Sequence, residues 1–392
     1  MTQDEHRDVT ASEAAPLVID LPGGPLALTF TASDGGEDRP LADEMRRLWA
    51  HARTTGRPTG ETETLEIKAA GPHRSLAEPD EDLLLVRSRQ AIERDTYAAS
   101  GRITRALVCR LVGTKLLLHA GTVHREDTGI VTVIGPSGAG KSTAISTFGR
   151  GHTYLSDELT ILDPETFAIT GYVKPVSRAT PAGYKRDVAL SELGLRPAFA
   201  AGAPDHIVLL RRDPERTEPA RLTRCALPTA LVRITEQSSS LWRLPRPLET
   251  VATLLDSVGG ALEAQYRESG DLPELLLAPP PRQHEDWSVI DPVETISVPA
   301  EGQVTVTGFR QALVTEGGAV VLCDHRVVHL TGLNALVWEL LAEHGPLTSA
   351  EITDALVATI GEHPDAADFT QQALLQLETD LLISGSLVPN DC

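Results

Sequence analysis

Gly135-Pro136-Ser137-Gly138-Ala139-Gly140-Lys141-Ser142 fits the pattern GxxxxGK[ST], and Thr143 follows it. The chemistry of such a run is phosphate binding. Gly135, Gly138 and Gly140 let backbone N–H groups turn inward around phosphate oxygens, with Ser137, Ala139 and Thr143 completing the cradle. Lys141 reaches the β- and γ-phosphates, and the Ser142 hydroxyl can ligate Mg2+, so the expected cofactors are ATP and Mg2+. The chain holds only five lysines, and one stands where a triphosphate needs it. Further on, Thr153-Tyr154-Leu155 reads as a strand that delivers Ser156-Asp157-Glu158 at its end. Two adjacent acids beside a phosphate loop suit a metal ligand and a base; the plain alternative is two solvated surface acids.

These residues need a strand before the loop and a helix after it. Ile130-Val131-Thr132-Val133-Ile134 supplies the strand, and Ser142 to Phe148 is compatible with a helix ending near Gly149-Arg150-Gly151. Upstream, Leu116 to Val123 reads as another strand. Short strands and helices then alternate as far as Ile207-Val208-Leu209-Leu210, the pattern of an α/β domain with a central sheet. Pro279-Pro280-Pro281 marks a boundary. The expected domains are an N-terminal, β-rich structural lead-in over 1–105, the P-loop domain over 106–300 and a C-terminal unit over 305–392. In the lead-in, Leu17–Leu21 and Leu26–Phe30 form a hairpin about Pro22-Gly23-Gly24-Pro25, a helix runs from Leu41 to about Arg53, and Asp82–Val86 is a candidate strand.

Composition narrows the class. With 55 acidic against 35 basic residues the net charge is −20, which repels phosphodiesters and anionic lipid, so neither nucleic acid nor membrane is the expected partner. No signal peptide is visible and apolar runs are short, so a cytoplasmic protein is expected. Cys109, Cys225, Cys323 and Cys392 lack ligand spacing, which indicates neither a zinc site nor a disulfide framework.

Three segments, LLLHAGTV at 116–123, GPSGAGKST at 135–143 and GHTYLSDELTIL at 151–162, resemble the HPr kinase/phosphorylase superfamily, in particular its branch with SDE after the loop. The resemblance spans roughly 105–295 and includes Lys174-Pro175-Val176-Ser177. It implies a P-loop kinase of the PEP-carboxykinase-like type, with His119, Asp157 and Glu158 at the phosphate site. On that footing Asp157 is the candidate base, Glu158 a metal or supporting carboxylate, and His119 tunes Asp157; the catalytic set is Asp157, His119 and Lys141. The bifunctional members carry two aspartates where this chain has Asp157 and Glu158, so the resemblance extends to kinase rather than phosphorylase chemistry.

After Val298 a different unit is expected. Val320-Val321-Leu322 and Val327-Val328-His329-Leu330 form a hairpin about Asp324-His325. Leu333, Leu336, Val337, Leu340 and Leu341 share one helical face, and Thr348 with Glu351 makes a capping box. A third helix carries Phe369, Ala373, Leu374, Leu377 and Leu381 at core spacing. The pattern over 318–388 resembles PqqD, the winged-helix-like RiPP recognition element. That implies binding of the leader of a ribosomal precursor peptide by β-augmentation at the hairpin edge, against the third helix. A DNA-binding winged helix is the alternative, disfavoured by acids such as Glu339, Glu343 and Glu351.

Together these features point to an α/β chain that phosphorylates a hydroxyl of a precursor peptide in RiPP biosynthesis. The alternatives are a non-catalytic scaffold that presents the precursor to a separate tailoring enzyme, and a small-molecule kinase with an appended regulatory unit.

Overall fold

Leu17, Ile19 and Leu21 are buried at every second position, as a half-covered strand requires. The structure, a computed structural model, describes residues 16–32, 38–53, 62–69, 82–292 and 298–385. Strand β1 (Leu17–Leu21) pairs antiparallel with β2 (Gly24–Thr31), and β2 runs parallel to β3 (Glu63–Lys68). Helix α1 (Arg39–Leu48) is capped by the Asp38 carboxylate, which accepts from Leu41 N–H at 3.0 Å. Helix α2 (Asp82–Leu111) is 30 residues long. Asp82–Val86 is therefore helical, not the expected strand. A short apolar run fits either state, and the spacing of buried Ile92, Ala99, Ile103, Leu107 and Leu111 carries the helix back over it. α2 also crosses the expected boundary at 105. Leu17, Ile19 and Leu28 lie in one hydrophobic core with Val123, Val133 and Ile145, so the lead-in packs directly on the phosphate-loop unit.

The middle of the chain runs β4 (Leu116–Leu118), β5 (Ala120–Arg125), β6 (Gly129–Ile134), α3 (Lys141–Phe148), β7 (Thr153–Ser156), β8 (Thr160–Leu162), β9 (Ile169–Thr170), β10 (Val176–Ala179) and β11 (Lys185–Val188). It continues through β12 (Arg196–Pro197), β13 (Ala200–Ala201), β14 (His206–Arg212), β15 (Arg221–Arg224), α4 (Leu227–Glu236), α5 (Pro247–Ser257), β16 (Leu262–Tyr266) and α6 (Leu272–Leu276). The central sheet has the order β12-β7-β5-β6-β14-β16-β15. β5 is antiparallel to both β6 and β7, and β6 is parallel to β14, which is parallel to β16. The ends of β6, β7, β14 and β16 and the start of β5 thus lie along one edge, where such sheets bind ligands. The run 116–123 is not one strand. It breaks at His119, where the chain leaves a four-stranded sheet for the central one.

The C-terminal unit holds β17 (Trp287–Ile290), β18 (Gln303–Val306), β19 (Gln311–Thr315), β20 (Gly318–Cys323), β21 (Arg326–Leu330), α7 (Gly332–His344), β22 (Leu347–Thr348), α8 (Ser349–Ile360), α9 (Ala366–Thr379) and β23 (Ile383–Gly385). β20 and β21 form the expected hairpin, with Asp324 left-handed at φ 46° in its turn. The Thr348/Glu351 capping box opens α8. β17, drawn in sequence as the end of the middle block, pairs with β19 in the sheet β17-β19-β20-β21. Side chains alternate across that sheet: Leu313, Val320 and Leu322 join the core beneath α4 and α5, whereas Ala312, Ala319 and Val321 join the core of α7, α8 and α9. Phe369 and Leu381 depart from core spacing, 43% and 72% exposed, because Thr370, Ala373, Leu374 and Leu377 form the buried face of α9. Among the described residues no helix is long and apolar enough to cross a membrane.

Candidate functional site

At the end of β6 the chain enters the loop with Gly138 and Gly140 at φ 87° and 89°, a region where only glycine is unstrained. Ala139 N–H donates to Pro136 O at 3.1 Å, closing the turn, and Gly140 caps α3. A Cβ on Gly140 would also stand 2.9 Å from the Tyr266 hydroxyl, which donates to Ala139 O at 2.7 Å. Burial pushes that phenol up to about 12, so it remains a donor. Lys141 Nζ donates to the carbonyls of Gly135 and Pro136, the latter at 3.2 Å. Desolvation, then the charge of Lys185, holds Lys141 below the usual lysine range. Ser137, Gly138 and Thr143 are exposed along the rim, and Ser142 is half-buried in the first turn of α3. A cleft of about 600 Å³ borders the loop, lined in part by Gly135, Ala139, Leu210, Arg212 and Arg233.

β7 is parallel to β6, so Asp157 and Glu158 emerge along the same edge as the loop. Their environments differ. The Asp157 side chain is fully buried and accepts from Tyr154 Oη at 3.1 Å and Ser177 N–H at 3.3 Å, with Lys174 Nζ at 3.3 Å. Desolvation raises its pKa against the pull of Lys174. Glu158 is half-exposed, with Lys174 Nζ 3.2 Å from Oε2. Desolvation opposes its ionisation, but Lys174, with help from Lys185, outweighs that and holds Glu158 below the usual range. Lys174 is wholly buried and also donates to Pro175 O at 3.0 Å and Ser177 Oγ at 2.9 Å. Desolvation disfavours its charge, yet Asp157, Glu158 and Asp187 together keep it an ammonium. Ser177 Oγ passes the network on, donating to Asp187 at 2.7 Å.

His119 is exposed at the switch between sheets. Its backbone N–H donates to Gln237 O at 2.6 Å, and its ring Nε2 lies 3.0 Å from Ser239 Oγ. Desolvation and then Lys141 lower its pKa against the pull of Glu158, favouring the neutral ring. His119, Lys141, Asp157 and Glu158 thus share one electrostatic neighbourhood.

Sequence reasoning did not assign Lys174, Lys185, Asp187, Tyr154 or Tyr266. One signal was available for two of them: Lys141, Lys174 and Lys185 are three of the five lysines, and all interact with Glu158. Among the described residues no group of three or more His, Cys, Asp or Glu is placed to hold a metal. Ser142, in the first turn of α3, could serve a Mg2+ that takes its remaining ligands from phosphate and water, whereas Glu158 already faces the Lys174 ammonium at 3.2 Å.

No family model matches the chain, and no curated protein matches it. Among solved structures, the chain is similar to the Hpr(Ser) kinase/phosphatase from Coxiella burnetii, at 14% identity and a TM-score of 0.24, over 41% of this chain and 91% of that one.

Proposed function

We propose that the chain is an ATP- and Mg2+-dependent phosphotransferase acting on a hydroxyl of a ribosomal precursor peptide whose leader is captured by the C-terminal unit. The observation that carries this is the meeting of the glycine loop and Lys141 with Glu158 and the Lys174–Asp157 pair along one sheet edge. The loop amides and Lys141 neutralise the triphosphate, while Ser142 is the residue that would hold Mg2+, which would spread phosphate charge, and Glu158 is left free for the acceptor proton. The acceptor oxygen bonds to the γ-phosphorus as the bond to the bridging oxygen breaks, leaving ADP, and the acceptor proton passes to a carboxylate. Glu158 is the acid a hydroxyl can reach without displacing a protein group, and Asp157 positions it through Lys174. Neutral His119 beside Glu158 suits a tuning role.

Support for peptide capture comes from the outer position of β21 in its sheet and from exposed Phe369 and Leu381 on and after α9, tied to β21 by Arg326 donating to Asp380 O. The full burial of Asp157 favours a second reading, a scaffold that binds nucleotide and precursor for a separate tailoring enzyme.

One experiment separates them: full-length protein, cognate precursor, ATP and Mg2+, followed by mass spectrometry of the peptide. One added phosphate, lost in Glu158→Gln and absent with Lys141→Ala together with its nucleotide-induced thermal shift, is expected. Bound precursor without phosphate leaves the scaffold reading. Turnover surviving Glu158→Gln but abolished by Asp157→Asn returns the base to Asp157.

A further inference from the structure

The hairpin β10–β11 sets Arg178 directly opposite Arg186. Like charges facing each other across a strand pair are destabilising, so this pairing does not serve the hairpin itself. The neighbouring pairs, Ser177 with Asp187 and Ala179 with Lys185, fall on the other face by strand alternation. The arginine face meets α2, where Glu93 is the acid present. Glu93 accepts from Arg186 at 3.0 Å and from the Tyr184 hydroxyl at 2.5 Å, and lies 3.6 Å from Arg89. Arg94 lies over the Tyr184 ring, 5.0 Å from its centroid. Arg178 is exposed and has no acidic partner among the described residues. Two arginines, Arg89 and Arg186, therefore pair with one carboxylate, while Arg178 stands opposite Arg186 and Arg94 stacks on Tyr184, in a chain of net charge −20. Arg89, Arg178 and Arg186 line a cleft of about 630 Å³, with Glu93 and Tyr184 also on its wall, so arginines outnumber the acid there three to one.

The same hairpin is rooted in the candidate active site. Ser177 N–H donates to Asp157, and Lys185 is close enough to act on both Lys141 and Glu158.

We propose that this cleft binds an acidic stretch of the peptide acceptor, on the opposite face of the hairpin that borders the phosphate edge. The inference rests on the phosphotransferase reading for its purpose, but the binding requires no turnover. Guanidinium groups gathered from both strands of the hairpin and from α2 can meet the carboxylates of an acidic peptide, and an arginine can form a two-pronged pair with a carboxylate.

The test is fluorescence anisotropy of labelled hexaglutamate with the full-length protein at low salt, with hexalysine and an oligothymidylate as comparison probes. Hexaglutamate is expected to bind, and Arg178→Glu to weaken it about tenfold or more. Arg246→Glu, the same charge change immediately before α5, is expected to leave it within about twofold. No hexaglutamate binding, equal binding to wild type and Arg178→Glu, equal losses in both variants, or tighter binding of oligothymidylate would each overturn the proposal. The nucleotide-induced thermal shift is recorded on the same samples, so failure of the phosphate loop and failure of the cleft give separate signals.

Discussion

Lys174 shows how one residue carries both stability and site geometry. Its ammonium is surrounded by oxygens from Asp157, Glu158, Pro175 and Ser177, with no exposure to water. Lys174→Met keeps the volume but leaves Asp157 and Asp187 without a counter-charge, and removing one partner of a buried pair costs about 3–5 kcal/mol. Denaturant titration should register that loss, and adding Asp157→Asn should recover part of it; an additive double mutant would argue against the coupling. A surface acid behaves differently. Asp163 is held well below the usual aspartate range chiefly by Lys115 Nζ at 2.9 Å, helped by Thr166 and Glu165 N–H groups. A carboxyl depressed in the folded state contributes stability that is complete above the unfolded value of about 3.9 and fades as pH falls toward the native value. Asp163→Asn should therefore flatten the fall in stability below about pH 4. Identical acid limbs in urea midpoints for variant and wild type would refute it.

Helix α3 must lie close to β5 for the loop to hold its shape, and Gly121 is what permits it. A Cβ there would stand 2.4 Å from Ile145 Cγ1 and 3.2 Å from the Asp157 backbone, so Gly121→Ala pushes on the helix and the acid strand together. Overpacking of this kind costs about 1–3 kcal/mol, and the nucleotide-induced thermal shift should shrink with it. A full shift at wild-type stability would show that the contact relaxes freely. Element type was legible wherever neighbouring residues settle it: the phosphate-loop strand and helix, the hairpin turn at Asp324, the capping box of Thr348 and Glu351. It was not legible over Asp82–Val86, where a short apolar run fits two periods, nor at His119, where the strand's end depends on which sheet each half joins.

The C-terminal unit is joined to the middle of the chain by the sheet β17-β19-β20-β21, which faces a different core on each side. Leu322→Ala removes a buried side chain from the core shared with α4 and α5, at a cost of about 2–5 kcal/mol. Since that sheet also backs the C-terminal helices, heating should give one cooperative transition that moves down as a unit. Two transitions, only one of them displaced, would mean that the units unfold independently. A fragment restricted to 305–392 lacks β17 and bares Leu313, Val320 and Leu322, so aggregation is its expected behaviour.

The residues that bind phosphate are consecutive, and their backbone angles follow from glycines within one turn, which is why Gly135 to Thr143 could be read from order alone. Asp157 and Glu158 were readable as a pair at a strand end for the same reason. Their unequal standing, one sealed inside and one open, was not, because it comes from Lys174 and Ser177 arriving on a later segment and from the burial that follows. Phe369 and Leu381 make the same point on α9: helical spacing identifies apolar positions, but which of them meet a core depends on how α9 packs against α7 and α8. Local periodicity is written in neighbouring residues, whereas desolvation, counter-charge and the choice of covering surface exist only once distant segments have closed on each other.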